Sequence, residues 1–402
     1  MRKYWKTIAL SVFIVIGISM FYINVNTVTK EFPRFNFKII EGNEEAVDKL
    51  VINGDLYNGM TNFEQFRVNS TGTTYLRDEP FSKRIIGYYQ DIYGEDLQKE
   101  YRTFMRGKST DPAKFYETDE ILAYAETPYS FWSYDTYEFE IDILNKKTKK
   151  TVSFSTPIPD RANYWYVAPY GVYVDENEIS IITLNEQVNE DVIENTSVHV
   201  YTYNIDTEQL VGEEVIDSLN YSSSEDGYND IQVMAIDENI FISQQKVNYI
   251  ETEDDFAYEK VNTEKIIHYN VNTHTKEEFT LPEKQEIGMP ITIIGDELFL
   301  ASINDNKLEI ISLNLIEGEI NSQKEIEVSN SFLSLYDLYQ AKVKDGKYYF
   351  IPSSEDFNET TMITVVDLES LTVDYLGEIE PVGSSAIDEE VEMYFSYPEL
   401  RK

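Results

Sequence analysis

A polar turn followed by an alternating apolar strand recurs through this chain, and that recurrence limits what it can fold into more than any single residue does. It reads Asn53-Gly54-Asp55-Leu56-Tyr57, Asp119-Glu120-Ile121-Leu122, Asp175-Glu176-Asn177-Glu178-Ile179 and Ala235-Ile236-Asp237-Glu238-Asn239-Ile240-Phe241. Further copies are Gly295-Asp296-Glu297-Leu298-Phe299, Asp345-Gly346-Lys347-Tyr348-Tyr349 and Ala386-Ile387-Asp388-Glu389-Glu390-Val391. A second element travels with the first, an apolar-Asn/Asp-apolar step that closes a strand: Tyr203-Asn204-Ile205, Tyr269-Asn270-Val271, Leu313-Asn314-Leu315, Val366-Asp367-Leu368 and, more weakly, Ile141-Asp142-Ile143. Asn and Asp bond their own backbone two residues on and tolerate unusual dihedrals, which suits them to strand exits.

Each repeat therefore reads as several antiparallel strands joined by polar turns. The entry strands are 58 residues apart from Ile121 to Ile179, then 61 to Ile240, 58 to Leu298, 50 to Tyr348 and 43 to Val391. A four-stranded propeller blade takes roughly 40–50 residues. The expected fold is all-β, a β-propeller of about seven blades, with six blades or stacked β-sandwiches as alternatives. The last repeat, Ala386 to Tyr397, is too short to finish a blade, and Phe35 to Ile40 is a spare alternating strand near the other end. Pairing the two removes two exposed edges at once.

Arg2, Lys3 and Lys6 precede an uncharged run from Thr7 to Thr29. A bilayer needs roughly 20 such residues, and positive charge before the span places the N-terminus in the cytoplasm. The expected division is residues 1–30 as cytoplasmic tip and transmembrane signal anchor, and 31–402 as an extracytoplasmic domain. A cleavable signal peptide, with Gly17 and Ser19 before the cut, is the rival reading. With this head and body the chain resembles the membrane-anchored, propeller-like extracytoplasmic proteins of Gram-positive bacteria, a resemblance that carries no catalytic residues across. No Trp-Asp or kelch signature narrows it further.

Composition excludes more than it assigns. No cysteine means no disulfide, no thiol catalysis, no lipid anchoring through Cys and no Cys-ligated zinc. The 73 acidic and 33 basic residues give a net charge of −40, which repels nucleic acid and anionic lipid. The histidines His199, His268 and His274 lack metalloprotease spacing, and the oxygen-rich turns Asn304 to Lys307 and Ser224 to Asp230 do not match a calcium loop. No Gly-x-Ser-x-Gly elbow, phosphate loop or dinucleotide fingerprint is present. The sequence assigns no catalytic residue, metal or cofactor.

Two regions depart from the background. Between Arg77 and Lys114 eight basic residues face seven acids in an otherwise acidic chain, and a helical insert around Leu97 to Tyr101 breaks the strand rhythm. It reads as a docking surface or as an ordinary solvated loop. Aromatic residues cluster at Trp132 and Tyr134 and again at Tyr164, Trp165 and Tyr166, near Arg161. Such rings stack on sugars or peptides, or fill the wedge between blades. The expected function is a membrane-tethered binding or scaffold module for a protein, peptide or envelope component. The alternatives are a carbohydrate-active hydrolase or lyase using carboxylates in the channel, and a quinone-dependent dehydrogenase.

Overall fold

Short polar turns between apolar strands leave neighbours no option but antiparallel pairing, and the computed structural model shows that pairing throughout. It describes residues 5–6, 10–17, 32–58, 62–80, 84, 92–128, 138–189, 192–224, 227–251, 257–280, 288–304, 307–328, 335–352, 361–382 and 391–401. After β1 (Arg34–Gly42) come β2 (Leu50–Asn58), β3 (Asn62–Asn69) and β4 (Gly72–Tyr75). Four strands follow as β5 (Phe115–Glu117), β6 (Ile121–Glu126), β7 (Glu138–Asn145) and β8 (Thr151–Pro157), and four more as β9 (Tyr166–Asp175), β10 (Glu178–Asn189), β11 (Val192–Asn204) and β12 (Gln209–Asn220). Then come β13 (Ser223–Ser224), β14 (Gly227–Ile236), β15 (Asn239–Glu251), β16 (Ala257–Asn270) and β17 (Thr275–Thr280). Next are β18 (Met289–Ile294), β19 (Glu297–Asn304), β20 (Lys307–Asn314) and β21 (Ile320–Glu327), then β22 (Lys342–Lys344), β23 (Lys347–Phe350), β24 (Met362–Asp367), β25 (Thr372–Val382) and β26 (Val391–Leu400).

Among the described residues these strands form six sheets. Sheet 1 runs β26-β2-β3-β4; sheets 2, 3, 4 and 5 are the successive meanders β5–β8, β9–β12, β13–β17 and β18–β21; sheet 6 is β22–β25 with β1 added at its edge. Successive sheets share cores. Phe139 and Ile141 of sheet 2 meet Ile181 and Tyr201 of sheet 3, while Ile182 and Val200, on the other face of sheet 3, meet Ile240 and Ile267 of sheet 4. Sheets 4 and 5 join through Phe241, Ile266, Leu298 and Leu300, and sheets 5 and 6 through Phe299, Ile310, Tyr348 and Phe350. Sheet 6 then packs on sheet 1 through Val365, Tyr375, Ile52 and Phe66. Inner strands are therefore buried on both faces, as the unbroken buried stretches of β20 (Leu308 to Leu313) and β24 (Met362 to Val366) show.

The remaining junction, between sheets 1 and 2, is filled by the insert. Its helix, Ile92–Glu100, places Leu97 against Phe115, Leu122, Tyr124 and Leu144 of sheet 2, with Tyr101, Phe104 and Met105 of the following turn. Its opposite side meets sheet 1, where Arg67 pairs with Glu95 at 2.7 Å. The buried Glu399 carboxylate accepts from Asn53 Nδ2 with one oxygen and from the Ile92 backbone N–H, at the start of the helix, with the other. Successive sheets with a closed sequence of shared faces make a mostly β, propeller-like ring.

The ring closes differently from the expectation. Phe35 to Ile40 does not pair with the C-terminal strand: β1 pairs with β25, Phe35 opposite Pro381, and β26 pairs with β2, Leu400 opposite Leu50. Each terminus thus completes the other end's sheet. The seven recurrences also over-count the sheets. Asn53-Gly54 is no turn but the interior of β2, where a Cβ on Gly54 would stand 2.3 Å from the Phe66 ring; β2 and β26 then share sheet 1. The polar part of the Asp388 copy lies outside the described residues.

The two recurring elements prove to be two turns stitched together. Ile205 donates its backbone N–H to the Asn177 carbonyl (2.8 Å), Val271 to Glu238 (2.8 Å), Leu315 to Asp296 (2.8 Å) and Leu368 to Gly346 (2.9 Å). Sheet 2 does the same with Lys146 and Glu120 (2.7 Å), so its closing residue is Asn145; Ile141-Asp142-Ile143 lies inside β7. All these tight turns fall at one end of the strands. The longer connections, including the β6–β7, β8–β9, β21–β22 and β25–β26 links and the exit of β4 into the insert, leave from the other.

Residues 10–17 are helical, with Leu10, Val12, Phe13, Ile14, Val15 and Ile16 all exposed. No described helix is long and apolar enough to cross a membrane.

Candidate functional site

The inner strands of neighbouring sheets touch one another, β5 with β9, β9 with β14, β14 with β18 and β22 with β26, and so line the ring axis. The Trp165 cluster lies at the start of one of them, β9, on the long-connection face. There the chain leaves β8, makes a single 3-10 turn at Arg161–Asn163 and enters β9.

This loop divides the cluster in two. Arg161 is buried, and its guanidinium donates to the carbonyls of Tyr164 and Trp165, the latter at 3.3 Å. It clasps its own loop. Tyr164 turns inward to the core shared by sheets 2 and 3, its hydroxyl 3.3 Å from His199 Nε2. Trp165 and Tyr166 turn outward, 49% and 38% exposed, and Tyr170, which the sequence reading passed over, joins them at 38%. Tyr170 is the extra residue of a β-bulge in β9, between Pro169 opposite Thr183 and Gly171 opposite Ile182. Trp132 and Tyr134 lie outside the described residues, in the β6–β7 connection, whose Thr127 donates to the Val167 carbonyl at 3.0 Å and so starts beside this loop.

Carboxylates accompany the rings. Glu186 stands opposite Tyr166 in the β9–β10 register; loss of hydration, then the neighbouring Asp230, push its carboxyl above the usual range. Asp230 accepts from Gln232 Nε2 at 2.7 Å. Loss of hydration, with Tyr166, Asp230 and Glu186 nearby, pushes the Tyr170 phenol up to about 12. Rings beside hydrogen-bond acceptors suit a ligand with C–H faces and donor groups, as sugars and peptides have.

His199 is not a base for this surface. It is buried, its Nε2 3.0 Å from Ser197 Oγ and its Nδ1 3.3 Å from Tyr201 Oη, in a chain that runs on through Asn185 to Thr183. Burial lowers its pKa to about 4, so the imidazole is neutral at physiological pH. Among the described residues no three His, Asp or Glu converge on a metal position.

The basic insert spends much of its charge internally. Lys108 pairs with Asp142 at 2.8 Å and lies over the Phe104 ring, Lys114 pairs with Glu126 at 2.6 Å, and Arg77 lies over the Phe32 and Tyr75 rings. Its lysines thus tie the wedge to carboxylates of sheet 2.

No family model matches the chain, and no curated relative matches it. Among solved structures it is similar to a chain from a structural and mechanistic analysis of two prolyl endopeptidases and the role of inter-domain dynamics in catalysis and specificity (8% identity, TM-score 0.32, 85% of this chain and 52% of that one). It thus spans about half of that match's length. It is also similar to the β-propeller domain of the Trilobed protease from Pyrococcus furiosus, described as having an open velcro topology (13%, TM-score 0.28, 67% and 82%). A third likeness is to Kuenenia stuttgartiensis hydrazine synthase (10%, TM-score 0.28, 62% and 63%). At these scores the likenesses add nothing to what the strand order says.

Proposed function

We propose that the chain is a membrane-tethered extracytoplasmic binding module: a six-bladed propeller, residues 31–402, held by an anchor in residues 1–30, with Trp165, Tyr166 and Tyr170 as its contact surface. The observation that carries this reading is the set of three outward rings on the face that bears the long connections. Tight turns have backbone jobs, whereas long connections are free to vary and to make contacts.

The tether narrows the partner. The apolar run ends at Thr29 and β1 begins at Arg34, beside Val382 at the long-connection end of β25. The four residues between them reach about 14 Å when extended, so an anchored chain presents its contact face towards the bilayer. The partner is then a protein, peptide or envelope component close to the membrane, and the module an accessory or sensing part of a membrane complex. The exposed apolar side chains of residues 10–17 after Arg2, Lys3 and Lys6 support the anchor.

Capture of partners from the protein's own envelope tests this. Trp165→Ala should reduce capture tenfold or more and leave the melting temperature within about 2 °C, because a half-exposed ring contributes little to the core. A large loss of stability with capture intact would make Trp165 a packing residue. Glu186 and Asp230 keep the carbohydrate-active alternative in view; release of new reducing ends from envelope polysaccharide, abolished by Glu186→Gln, would establish it.

A further inference from the structure

The side of sheet 1 that faces away from sheet 6 changes character along its strands. Near the stitched turns Asn53 and Arg67 are buried against the insert, where Arg67 meets Glu95. Further along β2 the same side presents Asp55 and Tyr57, with Gln65 and Phe63 opposite them in β3 and Tyr394 opposite Asp55 in β26. Cover is lost here: Tyr57, Phe63 and Tyr394 are 37%, 45% and 41% exposed. We propose that this patch holds a quaternary ammonium group, such as the trimethylated nitrogen of choline, against the three rings and beside the Asp55 carboxylate. The site is separate from the Trp165 surface and does not depend on it.

The rings form walls rather than a flat layer. The Tyr57 and Tyr394 centroids are 5.8 Å apart with their planes at 81°, and Tyr57 and Phe63 are 5.0 Å apart at 43°. Rings set at an angle offer two faces to one rounded group, and each face attracts a cation through its quadrupole.

Rings alone would also suit a sugar or a proline; the carboxylate selects charge. Asp55 is half-buried, and its Oδ1 accepts from Gln65 Nε2 at 3.2 Å. Among the described residues no cation pairs with it, although its cross-strand neighbour is one of the rings. Loss of hydration holds its carboxyl above the usual range, a cost that a bound cation would offset. The charge of −40 draws cations to the surface as a whole. A primary ammonium needs acceptors for three N–H donors, which three rings and one carboxylate do not supply. A methylated nitrogen carries the same charge under C–H surface and needs none.

The test uses the full chain in maltoside micelles at physiological salt, titrated calorimetrically against empty micelles. The probes are choline, its neutral carbon isostere dimethylbutanol, and ammonium. Choline should bind saturably and about tenfold or more tightly than either other probe. Tyr57→Leu and Asp55→Asn should each weaken it about tenfold, whereas Trp165→Ala should leave it unchanged. Tyr57→Leu should keep the melting temperature within about 2 °C, because the ring is half-exposed. Asp55→Asn should melt no lower than the parent, because it removes a poorly hydrated charge and keeps an oxygen for Gln65. Repeating the titration in phosphatidylcholine nanodiscs separates two sources of the group: an unchanged choline affinity identifies a free solute, and its loss identifies the lipid headgroup as occupant. Equal affinity for choline and dimethylbutanol, or for choline and ammonium, overturns the proposal, as does no saturable binding of choline. So does choline binding that Trp165→Ala removes and Tyr57→Leu leaves intact, since the cation would then sit on the other surface.

Discussion

The most repeated chemistry in this protein is one side chain folding back on its own turn. Asn204 Oδ1 accepts from the Thr207 backbone N–H and hydroxyl at 2.9 and 3.0 Å, and Asn270 does the same with Thr273. Asp367 takes Ser370, and Asn314 takes Glu317. One residue later the chain turns left-handed, at Lys149, Glu208, His274, Gly318 and Leu371. Only one of these five is glycine, so the turns carry strain that the Asn or Asp bond helps to hold. Two changes in one turn should therefore act oppositely. Glu208→Gly should stabilise by about 1 kcal/mol, and Asn204→Ala should cost about 1 kcal/mol, read as shifts of the urea midpoint. The same chemistry is why these turns were legible in the sequence: a left-handed residue after a self-bonded Asn demands particular residue types at fixed spacing. Gly54 misled because its reason is a ring at Phe66, far along the chain and invisible to local pattern. Glu399 was unreadable for another reason. Among 73 acids, nothing in composition distinguishes the one that joins Asn53 to a helix start.

At the scale of elements, closure is two seams in adjacent sheets rather than one. β26 occupies the inner edge of sheet 1 and brings Glu399 into the Asn53, Arg67 and Ile92 network. β1 adds a fifth, outer strand to sheet 6 and buries Phe35. Deleting residues 391–402 should thus do more harm than deleting 31–42, since it opens the interior edge and leaves a buried Arg67–Glu95 pair short of partners. Hydrogen exchange should show protection lost in sheet 1 and the wedge helix in the first case, and mainly in sheets 6 and 1 near Phe35 in the second. Equal damage from both deletions would return the ring to a single joint. The wedge helix was legible as a break in strand rhythm, while its burial was not, because Leu97, Tyr101, Phe104 and Met105 meet partners that only the ring brings to them. The candidate site was half legible: the sequence located the aromatic loop, but the division between an inward Tyr164 and an outward Trp165 depends on the turn at Arg161.

On the scale of the whole molecule, one end of the ring is made of stitched turns and the other of long connections, and β1 begins at the second, with Arg34 opposite Val382. If residues 7–29 span the bilayer with Arg2, Lys3 and Lys6 inside, protease added to cells stripped of their wall should degrade the chain beyond Lys30 while a cytoplasmic marker survives. Protection of both would reverse the orientation. The pairing of β1 also decides how the domain answers a mechanical load. A tug from the membrane would enter at Arg34 and run along the axis of β1, whose register with β25 extends from Arg34 opposite Val382 to Gly42 opposite Tyr375. Such a force shears the whole row of hydrogen bonds together instead of peeling them one at a time. If the proposed anchor holds, β1 is a shear clamp, and the ring would ride on a moving or strained envelope without being unravelled from that end.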